Sequence, residues 1–487
     1  MKSLLSLLLL SAASHGTIAL AQSQGAFAPT GDMTTQRLGH TATLLTNGKV
    51  LIAGGDATLP GSHTWASAEL YNPLTGTFAL TGTMTTPRTD HTATLLPDGK
   101  VLIAGGSVYS GDGSSTALAG AELYDPSTGT FTATSAMTTP RQWHTATLLN
   151  TGKVLIAGGA ISFQPDGEIS TAELYDPLTG TFSSTGSMTA VRAGHVAVLL
   201  PNGRVLISGG NAGFCDSQPN PELYDPASGR FTLASPSAYP PDSTTLSTVS
   251  ASLLPSGSVL ALLVGGCGIE HGAEVYDAAN GTFSAIAAFV GGFNTATLLP
   301  EGRVLIAGMD FFPDGSAELY DPVTSAFQAV DGTSPQREEG HTATLLPDGS
   351  VLLAGGWICC GYSLSTAAIY HPTHPAASPV LYSLPGGSQG AILHAGTHEV
   401  VSPANPANQG EALEIYGAGL IEGGAIPPRA SIGGRLAEVL FFGNAPGFTG
   451  LNQVNVRVPG GIAPGPSVPV RLNYLGRPSN EVTMGVQ

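Results

Sequence analysis

The sequence predicts an all-β protein in which a seven-bladed β-propeller is followed by a β-sandwich. Three observations predict this fold. A two-part unit recurs seven times at a spacing near 50 residues. Each unit contains four short segments typical of strands, separated by turn residues. After the last unit, apolar and polar residues alternate as they do in the half-buried strands of a sandwich.

The first part of the unit is a pair of apolar strands joined by a tight turn. In the segment HTATLLPDGKVLIAGG, which begins at His91, Asp98-Gly99 suits a two-residue hairpin turn. Both strands are apolar at nearly every position, as expected for a small sheet covered on both faces by its neighbours. Related segments begin at His40, His144, His195, Ser250, Thr295 and His341.

The second part supplies the third and fourth strands. In AELYDPSTGTF, which begins at Ala121, Pro126 presets φ for a turn and Gly129 allows a positive φ at low cost. A four-stranded unit repeated seven times closes naturally into a propeller. The N-terminal segment Phe27–Thr30 matches a fourth strand, and the seventh unit loses its own after His371. We therefore expect the N-terminus to complete the last blade and remove an open sheet edge.

The repeats resemble the Kelch family over about residues 27–372. The resemblance implies a seven-bladed propeller but no single activity, because one fold serves many functions. The residues that carry it are the run Met84-Thr85-Thr86-Pro87-Arg88, His91, the pair Gly105-Gly106 and the segment Tyr124-Asp125-Pro126.

The C-terminal part divides into a linker and a second domain. We expect a signal peptide at 1–21, the propeller at 22–372, a Pro- and Gly-rich linker at 373–390 and an immunoglobulin-like domain at 391–487. The segments GEALEIYGAGL and ASIGGRLAEVLFFG resemble IPT/TIG-type domains, and the whole resembles a module on secreted bacterial proteins. The resemblance implies a structural or interaction role for this domain.

Composition excludes some partners and indicates export. The net charge is −17, and such a surface repels phosphate backbones, so we expect no nucleic-acid partner. Lys2, the apolar run 4–13 and Ala19-Leu20-Ala21 form a signal-peptide pattern. We expect no membrane-spanning segment in the mature chain, which would be extracellular, on the cell surface or periplasmic.

Histidines recur at a fixed position of the repeat. The histidines allow two readings: a metal or substrate ring at one end of the channel, or repeat architecture with each imidazole bonded to its own blade. The second reading is favoured, because two repeats carry other residues at this position without visible disruption. The five are His40, His91, His144, His195 and His341.

A propeller followed by an immunoglobulin-like domain is also similar to the radical-copper oxidases. The segment 341–356 resembles a strand of that family, and the resemblance implies a Tyr-His pair, a Tyr–Cys cross-link and a further histidine as copper site. However, Gly340 stands where the tyrosine of the pair belongs, and no cysteine has a convincing cross-link context. We expect no catalytic residue, metal or cofactor.

Aromatic residues concentrate in the variable loops, which emerge on the propeller face opposite the tight turns. Such loops are free to carry specificity, and aromatic rings suit sugar stacking or a protein hot spot. The alternative is that the rings only pack the loops onto the blades. If these rings form a ligand-binding platform, at least two of the three tryptophans should be exposed to solvent. The candidate ligand-binding residues are Trp65, Tyr109, Trp143, Trp357 and Tyr362.

Four cysteines follow the Gly-Gly strands. Cys215 and Cys267 lie in loops of consecutive blades, and we predict that they form a disulfide. Cys359 and Cys360 are chain neighbours, and a bridge between them would be strained. These two are expected as thiols or as a strained, reducible bond.

These observations favour a secreted or cell-surface protein that binds a glycan or protein on the variable-loop face without catalysis. Two alternatives remain open from the sequence. One is a galactose-oxidase-like copper oxidase or another propeller enzyme, and the other is a structural component of an envelope or matrix.

Overall fold

The computed structural model describes residues 25–57, 63–110, 114–163, 167–211, 219–239, 247–265, 271–286, 295–308, 317–330, 339–358, 362–373, 378–385, 387–421, 424–448 and 450–487. Within these ranges every regular element is a β-strand. No helix long and apolar enough to cross a bilayer occurs in them. The expected signal peptide and all four cysteines lie outside the described residues.

Seven antiparallel sheets form the blades of a propeller, as predicted. The strands of this part, in chain order, are β1 (Ala26–Pro29), β2 (Thr41–Leu44), β3 (Val50–Ala53), β4 (Asp56–Ala57), β5 (His63–Thr64), β6 (Ala68–Asn72), β7 (Thr77–Leu80), β8 (Thr92–Leu95), β9 (Val101–Ala104), β10 (Ser107–Tyr109), β11 (Ser115–Ala117), β12 (Ala121–Asp125), β13 (Thr130–Ala133), β14 (Thr145–Leu148), β15 (Val154–Ala157), β16 (Ala172–Asp176), β17 (Thr181–Ser184), β18 (Ala193–Leu199), β19 (Val205–Asn211), β20 (Glu222–Asp225), β21 (Arg230–Leu233), β22 (Ser247–Leu253), β23 (Val259–Val264), β24 (His271–Asp277), β25 (Thr282–Ile286), β26 (Thr295–Leu298), β27 (Val304–Ala307), β28 (Glu318–Asp321), β29 (Ala326–Ala329), β30 (Glu339–Leu345), β31 (Val351–Ile358), β32 (Tyr362–Ser363) and β33 (Ala367–His371).

The first strand of each repeat is the innermost strand of its blade. These first strands contact those of the neighbouring blades around the whole circle, from β2 to β8 and finally from β30 back to β2. Blade 2, for example, has the order β8-β9-β12-β13, and short hairpins such as β4–β5 and β10–β11 stand on the variable-loop face. The second strands are fully buried, which explains their unbroken apolar sequence.

The N-terminal strand closes the ring, so this expectation is confirmed. Strand β1 pairs antiparallel with β33, from Ala26 opposite His371 to Pro29 opposite Ala368. The Phe27 ring lies 5.3 Å from that of Tyr370, as a Tyr–Phe pair does in the other blades. Blade 7 is therefore built from both ends of the propeller sequence.

Buried ion pairs join each of blades 1 to 4 to the segment that enters it. In blade 2 the Arg88 guanidinium donates to Glu122 at 2.9 Å and to the Gly105 carbonyl at 2.7 Å. Glu122 also accepts the backbone N–H of Thr85. Both charged side chains are buried, so the pair is fully desolvated. Blades 1, 3 and 4 repeat the pair as Arg37–Glu69, Arg141–Glu173 and Arg192–Glu222.

Blade 5 has the carboxylate without the arginine. The sequence contains no arginine or lysine between residues 231 and 302. Glu274 is fully buried and accepts hydrogen bonds from the Ser237 hydroxyl and the Ala238 backbone N–H, both at 2.8 Å. Its other oxygen has no hydrogen-bond partner within the described part of the chain. Burial raises the pKa of Glu274, against the lowering effect of these two hydrogen bonds.

We expect Glu274→Gln to stabilise the protein increasingly as pH rises above about 4.3, the ordinary carboxyl pKa. A raised pKa in the folded state means that the folded chain holds the proton more tightly, so stability is lost as the pH rises and the carboxyl must ionise. The gain should reach about 1 to 2 kcal/mol, the cost of burying an unpaired polar group. Urea unfolding from pH 4 to pH 8 measures it. Glu222→Gln is the matched control and should destabilise, because it leaves the Arg192 charge unpaired. Parallel pH profiles for Glu274→Gln and the wild type would contradict the prediction.

The C-terminal part is one nine-stranded sheet that folds back on itself into a nearly closed sandwich. Strand β38 bends at a bulge between Val439 and Phe441 and joins the two halves, which enclose an apolar core that includes Leu413, Val456 and Met484. Val380–Leu381, in the expected linker, pairs with β36 of this sheet. The strands are β34 (Val380–Leu381), β35 (Ile392–His394), β36 (Ala412–Ala418), β37 (Arg429–Ile432), β38 (Arg435–Asn444), β39 (Asn452–Arg457), β40 (Gly465–Tyr474), β41 (Arg477–Pro478) and β42 (Val482–Val486).

The sandwich covers the propeller face formed by the tight turns. The Ala425 backbone N–H donates to the Pro255 carbonyl at 2.7 Å, and that of Ser378 to the Pro347 carbonyl at 2.6 Å. We call this covered end the floor of the channel and the variable-loop end its mouth.

Candidate functional site

The rim of the mouth is a chain of backbone hydrogen bonds that runs from blade to blade. The residue before each repeat histidine has a left-handed backbone, with φ between 53° and 67° at Gly39, Asp90, Trp143, Gly194 and Gly340. The Asp90 N–H donates to the Gly39 carbonyl at 2.9 Å, Trp143 to Asp90 at 3.3 Å and Gly194 to Trp143 at 2.9 Å. One residue per blade therefore forms this part of the rim.

Only two of the five left-handed rim positions carry a side chain. Asp90 and Trp143 adopt a conformation that costs a non-glycine residue about 1 kcal/mol or more, although glycine fills the same position in three other blades. Strain of this kind persists where the surrounding structure holds it, and it concentrates at functional sites. The two exceptions, Asp90 and Trp143, are visible in the sequence, because the aligned residues at 39, 194 and 340 are all glycine.

Asp56 and Tyr109 are two further polar groups on the mouth side of blades 1 and 2. Asp56 follows the Gly-Gly pair of blade 1 and is only 8% exposed, and its Oδ1 has no hydrogen-bond partner within the described ranges. Burial raises the pKa of Asp56 to about 6. Burial also raises the pKa of Tyr109, and the Asp90 and Asp56 carboxylates raise it further. The phenol therefore lies close enough to both carboxyl groups to sense their charge.

Buried polar atoms continue beneath the rim into blades 2 and 3. Gln142 is fully buried, and neither its amide nitrogen nor its amide oxygen has a hydrogen-bond partner among the described residues. The Ser107 hydroxyl is also buried and has no hydrogen-bond partner among the described residues. Leu38–Asp56, Thr89–Ser107 and Gln142–Ala160 are equivalent cross-strand pairs of successive blades. The mouth is therefore polar below the rim on the side of blades 1 to 3.

The predicted aromatic residues lie on the mouth face but do not form an exposed platform. Trp65, Trp143 and Trp357 are all half-buried, and so is Tyr109. The expectation that at least two tryptophans are exposed is not met. The side chain of Tyr362 lies outside the described residues, as does the predicted Cys215–Cys267 disulfide.

Local contacts explain the partial burial of two tryptophans. The Trp65 indole N–H donates to the Gln36 carbonyl at 3.2 Å, and its ring meets the edge of His63 at 4.5 Å. The Trp143 ring lies 5.5 Å from that of Phe163, which is 53% exposed. Trp143 and Phe163 thus form an aromatic pair at the rim position that follows Asp90, whose backbone carbonyl accepts the Trp143 N–H.

The repeat histidines join neighbouring blades. His91 Nε2 is hydrogen-bonded to the Thr41 hydroxyl of the preceding blade at 2.9 Å, and His144 repeats this bond to Thr92 at 2.9 Å. The Nε2 bond thus crosses to the preceding blade, whereas the sequence led us to expect a bond within the histidine's own blade, and the ring packs against the preceding Gly-Gly pair. Burial, with the nearby Arg141 charge, lowers the pKa of His144 to about 3. The imidazole is therefore neutral and serves blade packing.

The described residues do not fit a copper site. They contain no group of three or more histidine, cysteine, aspartate or glutamate side chains arranged to hold a metal ion. The repeat histidines direct Nε2 at threonines, and the rim residue before His341 is Gly340. The site defined by this part of the chain is a carboxylate–phenol cluster.

Known proteins resemble this chain either in the sequence of one segment or in the overall fold. No family model matches the chain. Two curated proteins of Gibberella zeae, both named galactose oxidase, are 35% identical to the chain over 124 residues, which are 24% of this chain. The match spans only 18% of those relatives. A solved structure described as a novel fungal alcohol oxidase of the AA5 family in complex with copper covers 96% of this chain and 100% of its own, with a TM-score of 0.60 and 18% identity.

The chain is thus a seven-bladed β-propeller protein with galactose-oxidase-like homologues. The expectation of a non-catalytic binding protein is wrong, because the curated relatives are enzymes. The glycine before His341 removes only one arrangement of copper ligands, the Tyr-His pair, and does not by itself exclude catalysis.

Proposed function

We propose that this protein is an oxidase that acts on a hydroxyl group of an alcohol or sugar at the mouth of the propeller. The reaction converts R–CH₂OH and O₂ into R–CHO and H₂O₂. The observation that carries the proposal is the 35% identity with galactose oxidase over 124 residues. The whole-chain likeness of fold to an alcohol oxidase is consistent with it.

The mouth offers groups suited to binding a hydroxyl and moving its proton. With a pKa of about 6, Asp56 is largely a carboxylate at neutral pH and is able to accept a proton. Tyr109 stays protonated, because its pKa is raised, and so donates a hydrogen bond. Asp90 accepts a second substrate hydroxyl, and the Trp143–Phe163 pair supplies an apolar face for a sugar ring or alkyl chain.

We assign no copper step to these residues, because they do not fit a copper site. The proposal concerns the reaction class and the residues that bind substrate and transfer the proton. The N-terminal signal pattern supports an exported enzyme, the Gly-Gly and Tyr-Asp-Pro pattern supports Kelch-type repeats, and the C-terminal segments support an IPT/TIG-like sandwich of bacterial type.

Peroxide release tests the proposal. The mature chain is assayed against a panel of primary alcohols and sugars, after metal removal and after incubation with Cu²⁺. We expect H₂O₂ from at least one substrate, with a rate that rises as pH passes through about 6, the pKa of Asp56. Asp56→Asn should lower kcat roughly a hundredfold or more, the usual contribution of a positioned general base.

The chain offers controls for folding. Blade 4 carries Asn211 at the position equivalent to Asp56, so Asp56→Asn should fold. Asp90→Gly restores the residue that three blades use at the rim, so a loss of activity there does not reflect unfolding. Asp277→Asn changes an exposed turn carboxylate and should leave the rate unchanged. Absence of peroxide with every substrate and metal state, or an Asp56→Asn rate equal to wild type, would overturn the proposal.

A further inference from the structure

In the described part of the chain, an arginine without a carboxylate partner lies at the floor of the channel. Arg429 begins strand β37 of the sandwich, and its Nη2 donates to the Leu148 carbonyl at the end of β14 in blade 3, at 2.7 Å. Arginine has five N–H donors. Within the described residues, this is the one hydrogen bond that the Arg429 side chain makes, and no carboxylate pairs with it.

Arg429 lines two adjacent cavities between the propeller and the sandwich. Their volumes are about 1490 Å³ and 600 Å³. The inner strands contribute apolar and hydroxyl side chains such as Leu199, Leu345 and Thr344 to the walls, and the sandwich contributes Leu436. A cavity of 300 to 1,000 Å³ already accommodates a typical small ligand.

The other charges around these cavities are neutralised. In the larger cavity, Arg457 pairs with Glu438 at 2.9 Å. Arg471, which lines the smaller cavity, pairs with Glu481. The described walls therefore carry one net positive charge, on Arg429.

Burial lowers the pKa of Arg429 to about 10, and no neighbouring carboxylate opposes this effect. In blades 1 to 4, by contrast, a glutamate partly restores the pKa of each buried arginine. The Arg429 side chain is half-buried between the propeller and the sandwich, so its charge is partly desolvated with no carboxylate beside it, and proteins normally compensate such a charge with a counterion. The Arg429 guanidinium stays positively charged at neutral pH, and no carboxylate among the described residues compensates its charge.

We propose that Arg429 binds the carboxylate of a small organic acid in this cavity. The planar guanidinium fork matches a carboxylate in two parallel hydrogen bonds. One unpaired positive charge favours a monoanion over a doubly charged phosphate. The largely apolar walls favour an anion with a hydrocarbon part. This site lies at the opposite end of the channel from the cluster at the mouth, and the inference does not depend on the proposed oxidase activity.

Titration calorimetry of the full mature chain tests the site with three probes: benzoate, inorganic phosphate and neutral benzamide. We expect benzoate to bind and to raise Tm, and benzamide and phosphate to bind at least tenfold more weakly. Arg429→Met should weaken benzoate roughly ten- to a hundredfold, the effect of losing a charge-assisted pair of hydrogen bonds. Arg471→Gln is the matched control and should retain wild-type affinity.

Three results would overturn the proposal: equal benzoate affinity in Arg429→Met and wild type, phosphate bound more tightly than benzoate, or no benzoate binding at all. Because Arg429→Met removes the bond to blade 3 and is at risk of misfolding, a second measurement uses the wild-type chain. Crystals soaked in 4-bromobenzoate should show anomalous bromine density in the cavity beside Arg429. Ordered bromine only at other positions would equally refute the site.

Discussion

Replacing Arg141 with methionine is expected to lower the free energy of unfolding by about 3 to 5 kcal/mol, the usual result of breaking a buried ion pair from one side. The Arg141 guanidinium is fully buried and donates to Glu173 at 2.9 Å, to the Gly158 carbonyl at 2.8 Å and to the Thr171 carbonyl at 2.9 Å. The substitution leaves the Glu173 charge and two carbonyls without these donors. Urea unfolding at pH 7 measures the loss.

Two further variants separate the charge from the lost packing. Glu173→Gln added to Arg141→Met removes the stranded charge but keeps an oxygen for the Thr138 backbone N–H, so the double variant should be more stable than Arg141→Met. Lys153→Met breaks the partly exposed Lys153–Asp176 pair at 3.2 Å and should cost less than about 1 kcal/mol. A loss below 1 kcal/mol for Arg141→Met would show that the repeated pairs do not hold the blades.

Deleting residues up to Pro29 is expected to destabilise the propeller by about 3 kcal/mol or more and to cause self-association. The deletion removes the four paired positions of β1 and the Phe27 contact with Tyr370. At about 1 kcal/mol for each backbone hydrogen bond lost, the ladder alone accounts for most of the effect. The uncovered edge of β33 also becomes a template for other chains. Thermal unfolding and light scattering measure the two consequences.

A peptide supplied in trans is the control for this deletion. The segment 25–31, added as a synthetic peptide, should pair with β33 and restore Tm in a concentration-dependent way. A scrambled peptide of the same composition should not. A deleted chain that remains monomeric with unchanged Tm would mean that β1 does not close blade 7.

The propeller was predictable because the sequence repeats it. Four strand segments and two turns recur seven times, and a missing fourth strand after His371 matches an extra one at Phe27. Self-comparison therefore predicts both the number of blades and the closure. The partner of each repeat histidine was not predictable in this way, because the Thr41–His91 bond crosses between blades and sequence spacing does not show which blade an imidazole faces.

The two sites differ in how far the sequence foretells them. The strained rim residues Asp90 and Trp143 were visible as exceptions to glycine at an aligned position, and Trp143 was a candidate ligand-binding residue, whereas Asp90 was not. No comparable pattern in the sequence points to Arg429. Its importance depends on how the sandwich packs on the floor of the channel, and on which carboxylates that packing leaves out of reach. Neither property follows from local sequence pattern.

Ring closure by the first strand also imposes an order on folding. Strand β1 is synthesised before any blade, yet its partner β33 begins at Ala367, more than 300 residues later. Blades 1 to 6 are able to form from local contacts, whereas the seventh has to wait for the whole propeller sequence to emerge. The entropic cost of closing so long a loop opposes this last pairing. Contacts between residues so far apart in sequence are also slow to form. Folding should therefore end with a slow docking step at β33, during which the nascent chain presents an unpaired strand at each end.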